Sequence, residues 1–406
     1  MKEEGSKLII EDNQNKLNTT NNNEKKNHPL RKRKKIINKI QSKKERNPGI
    51  ELLRLLAMYA IIIHHVLLFG NTFNKYKQYK QINLINISTF WHVGCYALIS
   101  GIVGYKSYKY SNLFYLWTCT VFYSVIIYLY YKKYHPKIWN YNYWKDRTLF
   151  EHFFPVIYEK YWYFSKYFGM YLFIPLVNKG LSIVNKKELK IIVISLFVVY
   201  VLKNFINRDD PFGFNSGRSV IGLLIYFITG AYFGKYIIIQ NENKSIFYYL
   251  ICLFVYISST LLCYYFCHFF DRTNTKIKIL VNVSYLFENT LSSFAKVLQI
   301  ISITLIFSQM KYNKIIGKIL SNIGHLTFGV YLIHFHPYVK VFEISKIFRN
   351  YNQSTPLKTL VYLVYLRSLQ IYIVCLIIEY IRYLLFKLLK IREICIFAEK
   401  QMNKLF

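Results

Sequence analysis

The chain has 406 residues, is 53% hydrophobic and 19% aromatic, and carries 54 Lys and Arg against 20 Asp and Glu, a formal net charge of +34. Several apolar runs reach the ~18 residues that mark a membrane helix, which excludes a soluble globular domain and indicates a polytopic membrane protein. The basic residues cluster at the ends of those runs, as membrane orientation demands, and none sits in a stacking or groove-reading motif, so nucleic acid is not an expected partner.

Residues 1–46 are polar and end in the basic run RKRKKIINKIQSKKER. They read as a disordered, solvated cytoplasmic tail able to meet anionic lipid, with no apolar core of a secretory signal. Beyond them ten spans are expected, near residues 50–70, 84–104, 113–131, 161–181, 188–206, 218–238, 246–267, 288–308, 319–338 and 359–387. The expected fold is therefore all-α: a transmembrane helical bundle over 47–387, both termini cytoplasmic, with a C-terminal tail at 388–406. Lys106, Lys109, Lys179, Lys186, Lys187, Lys190, Lys235, Lys311, Lys314 and Lys318 fall on the inner loops of this topology, although Lys132 and Lys133 fall on an outer one. The two long polar excursions, 132–160 and 268–287, are expected outside. Trp139, Tyr141, Tyr143 and Trp144 in the first suit a membrane interface, or stacking against sugar rings. The seven cysteines lie mostly in apolar runs, and Cys263, Cys267 and His268 have no further ligands at zinc spacing, so no metal site is expected.

The first span carries the chemistry. Asn47 and Pro48 read as the N-cap and first turn of a helix that runs apolar to Phe69. Glu51, Arg54, His64 and His65 interrupt it, and ionisable groups at that depth are costly enough to mark a functional site. Arg54 and His65 are eleven residues apart. At ~100° per residue that spacing returns to within ~20°, so both lie on one face. Glu51 is placed to pair with Arg54 at i,i+3. A transferase acting on hydroxyls needs a base and a cation to hold a charged donor. His65 has the type and placement for the base, with His64 as its competitor about 100° round the helix. The bland alternatives are histidines that only bond between helices and an Arg that only sets orientation.

Four later stretches add to this. CYALISGIVGYKSYKY (95–110) puts Ser100, Gly101 and Gly104 where a helix or a ligand can approach closely, followed by Lys106 and Lys109 as phosphate or orientation charges. YWYFSKYFGMYLFIPLVNKG (161–180) holds Trp162, Tyr167, Tyr171, Asn178 and Pro175, the last expected to kink or break the span. RSVIGLLIYFITGAYFGKY (218–236) holds Tyr226, Gly230, Ala231 and Tyr232, and IGHLTFGVYLIHFHPYV (323–339) holds Phe328, Gly329, Tyr331, His334 and Pro337.

Taken together, the Arg-x10-His helix with its acidic residue and these four stretches, in this order, resemble the acyltransferase-3 family of integral-membrane O-acyltransferases, and its polysaccharide O-acetyltransferase branch in particular. The chain departs from the family pattern at Tyr96-Ala97, at Ile102, at His336 and in having Lys106 and Lys109 where an Arg pair is usual. The resemblance implies transfer of an acyl group, most often acetyl from cytoplasmic acetyl-CoA, to a hydroxyl of a carbohydrate-type acceptor, with no permanently bound cofactor. It implies Arg54, assisted by Ser100, Gly101, Lys106 and Lys109, at the donor. His65 is then general base or transient acyl carrier, and His334 and Tyr331, neighbours at i,i+3, either assist the acceptor hydroxyl or hydrogen-bond to each other as structure. The loop 132–160 is the expected acceptor surface. The competing reading is a transporter or channel that uses the same Arg/His stripe as an ion path.

Overall fold

The computed structural model describes residues 46–70, 72, 79–106, 108–135, 148–206, 210–238 and 244–405. The basic tail and the aromatic residues of the 132–160 loop (Trp139 to Trp144) lie outside them. Residues 47–406 form one compact unit, and among the described residues every regular element is helical.

In chain order the long helices are α1 (Pro48–Phe69), α2 (Tyr79–Thr89), α3 (His92–Gly104), α4 (Tyr110–Tyr134), α6 (Trp162–Ile183), α7 (Lys186–Ile206), α8 (Val220–Tyr236), α9 (Ile246–His268), α11 (Phe294–Gln309), α12 (Lys314–Gly324), α15 (Leu357–Leu388) and α16 (Ile391–Leu405). Shorter ones are α5 (Leu149–Phe153), α10 (Lys278–Tyr285), α13 (Thr327–His334) and α14 (Pro337–Phe342). Each expected span coincides with a helix or helix pair. Among the described residues seven of these units are long and apolar enough to cross a membrane: α1, α2–α3, α4, α7, α9, α12–α13 and α15. The apolar α8 and α11 are shorter.

Two expected spans are broken rather than continuous. The second divides at Phe90–Trp91 into α2 and α3, and the ninth divides at His325–Leu326 into α12 and α13, then turns again before Pro337 into α14. Each break is a single turn in which Trp91, His325 and Leu326 keep right-handed helical dihedrals, and Phe90 and His325 there line a cavity. Conversely, α6 runs unbroken through Pro175. Residues 391–405, expected as tail, form α16, tied to α4 by a hydrogen bond from Arg392 to Asn112 Oδ1.

Three features place the site. The Asn47 side chain caps α1, accepting from the Gly49 (2.9 Å) and Ile50 (3.3 Å) amides, while its own amide donates to the Ser308 carbonyl at 2.8 Å. The start of α1 is thereby fixed against the end of α11. Helices α3 and α8 run parallel and nearly touch: a Cβ at Gly101 would lie 1.9 Å from the Phe227 carbonyl oxygen, and one at Gly230 would lie 2.0 Å from that of Leu98. Glycine is the residue that permits such an approach. Finally, α15 holds α13 and α4 through a sealed ion pair. Glu379 accepts from both Arg382 and the Tyr123 hydroxyl (2.7 Å), and Arg382 also donates to the Tyr115 hydroxyl at 2.9 Å.

Candidate active site

Helices α1, α3, α6, α13 and the two helix breaks enclose a cavity of about 460 Å³. Arg54, Ser100, Tyr167, Gly324 and His325 line one end; His64, His65, His92, Tyr163 and Tyr331 line its middle; Phe69, Trp162, Arg218 and Lys340 line the other end. Among the described residues no Asp or Glu lines it. Arg54 and His65 face the same cavity from one helix, about 16 Å apart at 1.5 Å rise per residue.

At the first end the Arg54 Nη1 donates to Glu51 Oε1 at 2.6 Å. The Glu51 side chain is 3% exposed and that of Arg54 22%. Glu51 thus orients the guanidinium from behind and leaves its remaining N–H groups toward the cavity. The Tyr96 hydroxyl donates to the Arg54 carbonyl at 2.7 Å, and the Ser100 hydroxyl to the Tyr96 carbonyl at 2.9 Å.

In the middle, hydrogen bonds fix the protons. His334 Nδ1 is 2.6 Å from the Val330 carbonyl, which can only accept, so that nitrogen carries the hydrogen. A neutral His334 then has Nε2 as an acceptor, and His65 Nδ1, 3.0 Å away, must be the donor. The remaining nitrogen of His65, Nε2, is left with a free lone pair. This tautomer assignment follows from the bonding partners. Three buried rings, His65, His334 and Phe335, pack together, with centroids 5.1 Å (His65–His334) and 4.9 Å (His65–Phe335) apart. His64 lines the same cavity, but its Nδ1 donates to Asn86 Oδ1 at 2.6 Å; Asn86 in turn donates to Asn83 (3.0 Å), and Asn83 to His268 (2.7 Å). His64 is therefore tied to α2 and α9, and His65 to α13. Tyr331, expected as a possible partner of His334, makes no hydrogen bond to it; its buried hydroxyl is unpartnered among the described residues.

The other expected site residues are placed differently. Gly101 is occupied by packing against α8. Lys106 and Lys109 do not line the cavity: both are exposed beyond the end of α3, Lys106 over the Tyr105 ring at 5.4 Å and Lys109 giving its carbonyl to the Tyr171 hydroxyl at 3.0 Å. Sequence reasoning passed over His92, Tyr163, Arg218 and Lys340. His92 was accessible in principle, since His92, Tyr96 and Ser100 stand at i, i+4 and i+8 and form one stripe. Arg218 precedes α8 and Lys340 lies in the last turn of α14, where a lone cation reads as an ordinary orientation charge.

A polytopic helical bundle with an Arg and a base-ready His on one buried cavity has the parts of an acyl-transfer site. A family model described as an acyltransferase domain matches residues 47–388. The chain belongs to the acyltransferase-3 family. It is a membrane acyltransferase, and the match takes in the whole cavity, both helix breaks and the α15 ion pair. No curated protein and no solved structure matches it.

Proposed function

We propose that this acyltransferase moves an acetyl group from acetyl-CoA to a hydroxyl of a carbohydrate acceptor, with His65 as general base. One observation carries the reading: the His334–His65 hydrogen bond leaves His65 Nε2 as an acceptor in the same cavity that holds Arg54. The phosphates of the donor meet the Arg54 guanidinium, whose fork geometry suits them, and the thioester reaches along the cavity toward His65. His65 Nε2 takes the proton of the acceptor hydroxyl as its oxygen attacks the thioester carbonyl. The new C–O bond forms, the C–S bond breaks, and the proton passes to the departing CoA thiolate. The unpartnered Tyr331 hydroxyl donates to the oxyanion of the tetrahedral intermediate. His334 is a positioning residue: it fixes the ring and tautomer of His65, and it stabilises the imidazolium by accepting from Nδ1–H.

The test is label transfer from acetyl-labelled acetyl-CoA in membranes bearing the protein, with a mixed glycan acceptor. The expected product is glycan-bound label released by hydroxylamine, as an ester is. Solute flux across the vesicle with no covalent product would contradict the reading and favour a transporter. Label retained on the protein would replace direct transfer by an acyl-histidine step at the same nitrogen.

A further inference from the structure

The cavity has a second cationic end that donor binding at Arg54 leaves unused. Helices α3 and α8 are in parallel register, with Gly94 beside Tyr226, Leu98 beside Gly230 and Ile102 beside Gly234. Arg218, just before α8, therefore lies at the His92 end of α3, away from Ser100. Its guanidinium sits over the Trp162 ring, 6.0 Å from the centroid. It is exposed and has no ion pair among the described residues. Lys340 lies over Phe69 and Phe335, with its ammonium 4.8 and 4.6 Å from their centroids. Phe335 itself packs on His65, so this cation stands one ring beyond the base.

Between these cations and His65 the wall presents polar atoms with no partner. His92 is 1% exposed and lines the cavity, yet neither ring nitrogen has a hydrogen-bond partner among the described residues. The same holds for the hydroxyls of Tyr163 and Tyr331. Buried groups of this kind are costly unless a ligand or water meets them. The His92 ring can both donate and accept, and each tyrosine hydroxyl can do the same. That set matches a compound with several hydroxyls. Arg218, exposed and with no ion pair among the described residues, matches a negative charge on the same compound.

We infer that the end of the cavity bounded by Arg218, Lys340, Trp162 and His92 is the acceptor subsite, and that the acceptor is an acidic sugar bearing a carboxylate or a phosphate. The inference rests on the acyl-transfer reading for the word acceptor, but the binding it asserts does not. Arg218 holds the anion against Trp162, His92 and Tyr163 take hydroxyls, and the hydroxyl to be acylated points at His65 Nε2. Donor and acceptor then enter from opposite ends and meet at the histidine.

The experiment is direct binding to the purified protein in lipid nanodiscs. The probes are an oligouronate, its carboxyl-reduced neutral counterpart, a sugar phosphate and its dephosphorylated form. Wild type should bind at least one acidic probe ten-fold or more tighter than its neutral partner. Arg218→Ala, at an exposed position where folding is not at stake, should abolish that preference, Arg218→Lys should restore part of it, and Arg54→Ala should leave it in place. Preference for the oligouronate assigns a carboxylate, and preference for the sugar phosphate assigns a phosphate. Equal binding of acidic and neutral probes, binding of neither, or a preference that survives Arg218→Ala would overturn the inference. Acetyl transfer measured on the same samples keeps the two readings apart: binding without transfer contradicts the proposed function alone, and transfer to neutral glycans with no acidic preference contradicts this inference alone.

Discussion

The chain contains two Glu-x-x-Arg pairs on apolar helices, Glu51–Arg54 on α1 and Glu379–Arg382 on α15, and they do different work. Both are i,i+3 ion pairs. In the second, the Arg and Glu side chains are 5% and 1% exposed, and the Arg382 guanidinium is spent on Glu379 and Tyr115 while packed over the Phe386 ring at 4.6 Å. The Glu379 carboxylate also presses on α13: a Cβ at Gly329 would lie 1.9 Å from its Oε2. In the first pair only one guanidinium nitrogen is bound to the carboxylate, and the Arg54 side chain, 22% exposed, opens onto the cavity. A closed pair fixes helices, whereas a half-open pair presents a charge. The sequence pattern is the same in both. What separates them is whether tyrosines or a cavity face the arginine.

That contrast can be broken by substitution, most severely at the sealed pair. Glu379→Ala would leave Arg382 buried and unpaired, which costs about 3–5 kcal/mol. The expected result is a sharp fall in the yield of folded protein and in its melting temperature in detergent, and a normal melt would show that the pair is not a clamp. Arg54→Ala alone would leave the Glu51 carboxylate, 3% exposed, without its cation, so it is made together with Glu51→Gln, which removes both charges. The acyl-CoA KM of the double variant should rise roughly ten- to hundred-fold, the loss of a charge-assisted phosphate contact; an unchanged KM would remove Arg54 from the donor site. A smaller effect is expected at His334. His334→Ala should lower kcat about ten-fold with acyl-CoA KM unchanged, and His334→Gln should recover part of it, because a glutamine carbonyl can still accept from His65 Nδ1–H. Equal losses in both variants would mark His334 as packing only. The mildest change is Tyr123→Phe, which removes one hydrogen bond from Glu379. It should lower stability by about 1 kcal/mol and leave kinetics alone, and a change in kinetics without one in stability would link that clamp to the chemistry.

Much of this was legible in the sequence. The ten apolar segments and the Arg54–His65 face followed from length and from the 3.6-residue period, and the family followed from five motifs in order. The pairing of His65 with His334 was not legible, because the two are 269 residues apart and no local pattern encodes a contact between α1 and α13. The helix breaks at Phe90–Trp91 and His325–Leu326 were missed because hydropathy is continuous across them, with no proline or glycine pair inside to mark the turn. Lys106 and Lys109 show the reverse relation between sequence distance and position. Close to Ser100 in sequence, they lie past the end of α3, outside the cavity. Arg218 and Lys340, distant in sequence, reach it.

The most direct test of the account is acetyl transfer by His65→Ala beside His64→Ala, each normalised to folded protein by its melting curve. Both imidazoles line the cavity, but only that of His65 is held by a hydrogen bond from α1 to α13. The account predicts that His65→Ala lowers kcat/KM by roughly 10²–10⁴, the contribution of a positioned general base, while His64→Ala keeps most of the activity. Activity that survives in His65→Ala, or vanishes only in His64→Ala, would contradict the assignment of the base.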